Sequence, residues 1–160
     1  MKRLSKLTGI IIAAGLSIIL LSGCISRYDI KVPVSDPMPH PMLAQMQSVS
    51  VEEKDRVIYF GESRKYHKRG VTVVVLKGDP YELGYARGVL LKDEIKSWVR
   101  DGLYMIKKHA MGTSVGDTLM TSRAKKVEKY IAPEQVEEIR GLSAGSGIEY
   151  ETHLVWMQII

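Results

Sequence analysis

Residues 78–95 read GDPYELGYARGVLLKDEI, and the fold of the rest of the chain is read outward from them. Asp79 is an N-cap residue, and Pro80 suits the first helical position, where its missing N–H is no loss. Glu82 stands three residues after the cap and completes a capping box, so a helix is predicted to begin at Pro80. Leu83, Ala86, Leu90 and Leu91 then recur at helical spacing as one apolar stripe. Gly84 and Gly88 lie four residues apart on a common face. A glycine inside a helix costs about 1 kcal/mol relative to alanine. Two at this spacing predict a face where the backbone comes close to a neighbour, expected to be the strand layer.

On the N-terminal side, RVIYF (56–60) and VTVVVL (71–76) are rich in branched and aromatic residues and predict two strands. The second is almost continuously apolar, the pattern of a strand covered on both faces. The basic GESRKYHKRG (61–70) between them reads as a solvated connecting loop rather than a nucleic-acid contact.

On the C-terminal side, Trp98, Val99, Leu103 and Ile106 carry a helical pattern to His109, before a break at Gly112–Gly116. Residues 119–131 predict a helix with Ala124, Val127 and Ile131 inward and Lys125, Lys126 and Lys129 outward. Pro133 opens another, with Val136, Ile139 and Leu142 as its stripe and Gly145 and Gly147 at its end. Tyr150 to Ile160 predicts a last helix. Strands followed by helices make the fold class α+β.

The chain begins with Lys2, Arg3 and Lys6, followed by the uncharged LTGIIIAAGLSIILL (7–21). At about 1.5 Å per residue that run is too short for a hydrocarbon core about 30 Å thick, and it reads as an export signal. Leu21, Ser22 and Gly23 before Cys24, the single cysteine, resemble the lipobox of bacterial lipoproteins. The resemblance implies cleavage after Gly23, a diacylglyceryl thioether on Cys24 and acylation of the freed amine, so Cys24 is expected to be a lipid anchor. Ile25 stands where inner-membrane retention signals place aspartate, which in a Gram-negative envelope favours the outer membrane. Domain boundaries follow: signal 1–23, tether 24–50, folded part 51–160. Pro33, Pro37, Pro39 and Pro41 predict an extended tether that holds the body away from the bilayer.

The formal charge is +5, with 23 Lys+Arg and 18 Asp+Glu. Without the three cations of the signal the balance is 20 to 18, which does not indicate nucleic acid. One cysteine excludes an internal disulfide and a cysteine zinc site. His40 with Met38, Met42 and Met46 reads as incidental rather than as a copper site. His67, His109 and His153 lack metal-ligand spacing and read as surface or half-buried residues, so neither metal nor cofactor is expected. Glu137–Glu138 and Glu52–Glu53 read as solvated faces.

GLSAG (141–145) satisfies the G-x-S-x-G pattern, but its approach, EQVEEIR, is helical. A serine nucleophile elbow needs a strand before the serine and an acid and a histidine after it. Ser143 is therefore not expected to be a nucleophile.

Two segments together resemble the acyl-coenzyme A:6-aminopenicillanate acyltransferase family of autoproteolytic cysteine Ntn-hydrolases, related to phospholipase B-like proteins. In the first, Leu76, Gly78, Glu82, Gly84, Gly88, Leu91 and Ile95 occupy the family's places. In the second, EQVEEIRGLSAGSGIEYETHLVWMQII (134–160), so do Glu138, Gly141, Ala144, Gly145, Gly147 and Ile148. The resemblance implies an αββα sandwich, with these residues supplying opening strands and one helical layer. It also implies amide or acyl substrates, attacked by a cysteine that self-cleavage exposes and whose own α-amine serves as base. That cysteine falls beyond the second segment in the family, and none follows it here, so no catalytic residue is assigned. The chain is expected to be an inactive N-terminal portion, with Leu154, Val155, Trp156 and Ile159 exposed for want of a covering layer. The alternative expectation is a lipid-anchored binding or envelope-interaction module without catalysis.

Overall fold

The computed structural model describes residues 30–109 and 122–156, so Cys24, the signal, Gly112–Gly116, residues 119–121 and Ile159 lie outside the described residues. The elements are α1 (Leu43–Gln47), β1 (Val51–Lys54), β2 (Val57–Phe60), β3 (Ser63–Lys68), β4 (Val71–Val75), α2 (Pro80–Leu90), α3 (Lys92–His109), α4 (122–128), α5 (Pro133–Ser146) and α6 (Tyr150–Trp156). Helices and a four-stranded antiparallel sheet make the fold α+β.

Two-residue turns build the sheet as a meander in the order β1-β2-β3-β4. Asp55 and Arg56 both have positive φ, as do Arg69 and Gly70, the requirement of a type I′ hairpin. The expected loop 61–70 is thus a strand between tight turns. Its polar sequence concealed it, yet register places Lys65 between Ile58 and Val74 on the face that packs against the helices. There the Lys65 ammonium reaches Glu94 of α3 at 2.9 Å. Burial works to raise the Glu94 carboxyl, but the hydrogen bond and charge of Lys65 outweigh it and hold the group below its ordinary range.

Ile58, Phe60, Val74 and Leu76 face α2, forming a core with Tyr81, Tyr85, Ala86, Leu90 and Met46. By alternation and register, Val57, Tyr66 and Val73 line up on the opposite face. On that side Val57, Tyr66 and Val73 are half-buried, and Val71 is 61% exposed. The expectation that β4 is covered on both faces does not hold: none of its residues is buried, Val71 and Thr72 being exposed and Val73, Val74 and Val75 half-buried.

The glycine face of α2 meets α5, not the strand layer that was expected. A Cβ on Gly84 would stand 2.8 Å from the Leu142 nitrogen, and one on Gly88 2.7 Å from the Leu142 carbonyl oxygen and the Ser146 nitrogen. Reciprocally, a Cβ on Gly141 would lie 2.8 Å from the Tyr85 nitrogen, and one on Gly145 3.2 Å from the Gly88 Cα. Glycines on both helices let the two backbones touch.

The expected tether is only partly one. From Ile30 onward the segment lies on the body: Ile30 and Met46 are buried, Val34 bridges Ile148, and the Pro33 carbonyl accepts the Glu149 N–H at 3.2 Å. Prolines keep this strap extended, and extended backbone is what an edge bridge requires.

A second core joins Ala124, Ile139, Tyr150 and Leu154, with Ile131 and Val136 against it. Val127, expected inward, is 38% exposed. A third core joins Val99, Ile148 and Trp156, with Val32, Ile95 and Leu103 around it. Leu154 and Trp156, expected to be exposed, are therefore buried. The indole of Trp156 sits in space that a Cβ on Gly102 would fill.

Candidate functional site

Of the residues marked by the sequence, Gly84, Gly88, Gly141 and Gly145 come together at the α2–α5 crossing. Asp79 and Glu82 stand at the start of α2, where the Glu82 carboxylate accepts the Asp79 N–H at 2.9 Å as the capping box predicts. Gly147 stops α5 at φ 72, a left-handed conformation that glycine adopts without strain. Arg87 and Glu138 form an ion pair that flanks the crossing. Burial lowers the Arg87 pKa.

At the C-terminal end of the crossing lies a buried polar cluster. The Ser143 hydroxyl donates to the Ile148 carbonyl at 2.7 Å, and the Gly147 N–H returns to the Ser143 carbonyl at 2.8 Å. Ser146, completely buried, accepts the Ile148 N–H at 3.3 Å and faces His153 Nε2 at 3.2 Å. Its own proton can go to the Ser143 carbonyl at 3.4 Å, and with that assignment His153 Nε2–H donates to Ser146.

A serine beside a histidine is the contact a nucleophile needs, so its environment decides the chemistry. Desolvation, with the Arg87 charge second, depresses the His153 pKa to about 4. An imidazole that reluctant to take a proton is a poor general base at neutral pH. Among the described residues no carboxylate is hydrogen-bonded to it, and Ser146 has no solvent access. The pair satisfies buried polar groups where α5 turns into α6. Ser143, likewise, closes a helix end and is no nucleophile elbow.

His153 was expected to be a surface or half-buried residue and is buried. The expectation of solvated faces also changes at Glu137 and Glu138, which are half-buried and paired. Glu137 meets Arg140 at 2.7 Å and His40 Nε2 at 3.0 Å. His40 Nδ1 accepts the Met42 N–H at 3.1 Å, which leaves Nε2 to carry the proton toward Glu137. The His40 ring stacks on Tyr81 with centroids 3.6 Å apart. This residue of the strap is a clasp. Among the described residues no three His, Cys, Asp or Glu side chains are grouped to hold a metal.

Two of the surface depressions among the described residues carry polar groups. One, of about 310 Å³, lies between α1 and the β2–β3 turn, over Met46, Phe60 and Ser63 with Lys77 and Glu82 at its rim. Ser63 is buried there and accepts the Lys77 N–H at 3.1 Å. The other, of about 450 Å³, lies between α4 and α5 and carries Lys125, Glu128, Lys129, Glu137 and Arg140. On that side the Tyr150 hydroxyl donates to Glu128 at 2.7 Å, and burial followed by that carboxylate raises the phenol's pKa.

The sequence marked the glycines but missed the groups around them. The available signal was spacing: Arg87 precedes Gly88 and Glu138 lies three before Gly141, so the paired charges ride beside the paired glycines. Nothing comparable marked His40. Comparison with protein-family models, curated proteins and solved structures finds no match for this chain.

Proposed function

We propose that the protein is a lipid-anchored envelope component whose body is the N-terminal region of a cysteine Ntn-hydrolase-like acyltransferase or amidohydrolase. The carrying observation is the α2–α5 crossing. The two segments on which the family resemblance rests are joined glycine to glycine, so both patterns serve one packing solution. The half-buried sheet face with Val57, Tyr66 and Val73, turned away from the α2 core, also supports the reading. It is the kind of surface on which a second sheet stacks in an αββα sandwich.

In this reading residues 51–160 supply a sheet and a helical layer, and acyl or amide chemistry belongs to a nucleophile outside them. Cys24 is the anchor, bearing lipid and fixing the protein to the membrane. Among the described residues no helix is long and apolar enough to cross a membrane.

One test is the coding DNA downstream of Ile160, read in all three forward frames. A stretch encoding further strands led by a cysteine supports the reading, and its absence counts against it. Mass spectrometry of the N-terminal peptide, with Cys24→Ser as the unlipidated control, tests the anchor separately.

A second reading, a lipid-anchored binding module without catalysis, is favoured by the burial of Leu154 and Trp156. The layer that those residues need comes from α3 and α5 of this chain. Cooperative unfolding of the purified protein as a monomer would favour the module over the enzyme portion.

A further inference from the structure

The strap and the anchor together constrain how the body sits on the membrane. Ile30 is 6% exposed, Val32 packs against the cluster of Val99, Ile148 and Trp156, and Val34 bridges Ile148. The chain is therefore held to the body from Ile30 onward. Cys24 is 6 residues before Ile30, and fully extended chain spans at most about 3.6 Å per residue, or about 20 Å in all. A body of this size is about 30 Å across. With a leash shorter than the body's own width, only the part of the surface near Ile30 can touch the bilayer, and the opposite side is out of reach.

The point of attachment selects the face. Val32 packs against the cluster that holds Trp156, whose ring lies tilted against that of Trp98 at a centroid distance of 4.8 Å. Trp98 is 49% exposed, and Met105, two helical turns further along the same face of α3, is 51% exposed. Tryptophan favours the membrane–water interface, where the ring body is apolar and the N–H remains hydrated. The acids on this stripe are already engaged: Glu94 pairs with Lys65, and Asp101 has its own interaction within the protein.

We infer that the Trp98–Met105 face of α3 rests in the headgroup region of the bilayer that holds the Cys24 lipid. The inference rests on the reading of Cys24 as the anchor, and the experiment separates the two. The purified lipoprotein, its acyl mass verified at Cys24, is reconstituted into phosphatidylethanolamine–phosphatidylglycerol vesicles with or without a lipid spin-labelled near the headgroup.

The protein has 2 tryptophans, Trp98 and the buried Trp156, so fluorescence reports on this face. Spin label should cut the emission by roughly half, as expected for an interfacial indole, and Trp98→Phe should abolish the effect while the far-ultraviolet circular dichroism is unchanged. A second variant, Met105→Glu, should weaken the quenching without removing either fluorophore. Unquenched emission with the lipid attached overturns the seating alone. Crosslinked dimers through this face, in place of quenching, overturn it in favour of a second copy. A Cys24 without lipid overturns the anchor and the seating together.

Discussion

Gly88 and Gly145 meet with no side chain between them, so that a methyl on Gly145 would stand 3.2 Å from the Gly88 Cα. The atoms facing the neighbouring glycines are backbone, which cannot swing aside as a side chain can. Alanine is therefore no mild substitution here. Gly84→Ala and Gly141→Ala gain about 1 kcal/mol in helix propensity, yet overpacking should leave a net loss of about 2 kcal/mol. Urea unfolding of each variant measures it, and the leucine variants should be worse still.

Stability should fall with acid through His153. Its folded pKa of about 4 lies below the ordinary 6.5, so the unfolded chain takes the proton first. The contribution is complete above pH 6.5 and is lost as pH falls from about 6.5 to about 4. Below that both states are protonated. The full difference is on the order of 3 kcal/mol. His153→Gln should flatten the unfolding free energy over that window, though it lowers stability at neutral pH.

His40 should hold the strap. His40→Ala removes the stack on Tyr81 and the pair with Glu137, which should raise amide exchange in α1 by about tenfold. Exchange at the core of α2 should be unaffected. Equal acceleration in both elements would mean global destabilisation rather than release of the strap.

Gly102 should be as intolerant as the crossing glycines for a different reason. Its Cβ would meet the Trp156 indole, which is rigid and packed against Trp98. Gly102→Ala should displace the ring and reduce the near-ultraviolet dichroism of the pair. Trp156→Ala should cost about 3–5 kcal/mol, as expected for emptying a large aromatic site.

Local chemistry was legible in the residues themselves. Asp79, Pro80 and Glu82 specify a helix start because the cap satisfies backbone donors within a few residues. Gly147 specifies a helix stop because the left-handed conformation is cheap for glycine alone. Apolar periodicity likewise announced α2, α5 and α6, and the paired glycines announced a close approach.

What the glycines approach was not legible, since spacing describes one helix and never names its neighbour. Only the assembled fold shows Gly84 and Gly88 packed against α5, Lys65 reaching Glu94 from a strand that looked like a loop, and the strap clasped by His40. Trp156 teaches the same lesson. An apolar segment states that it needs cover, but whether α3 supplies it depends on long-range packing. Burial, pairing and the depressed His153 pKa arise only when distant segments exclude water together, whereas caps and turns are decided by neighbours along the chain.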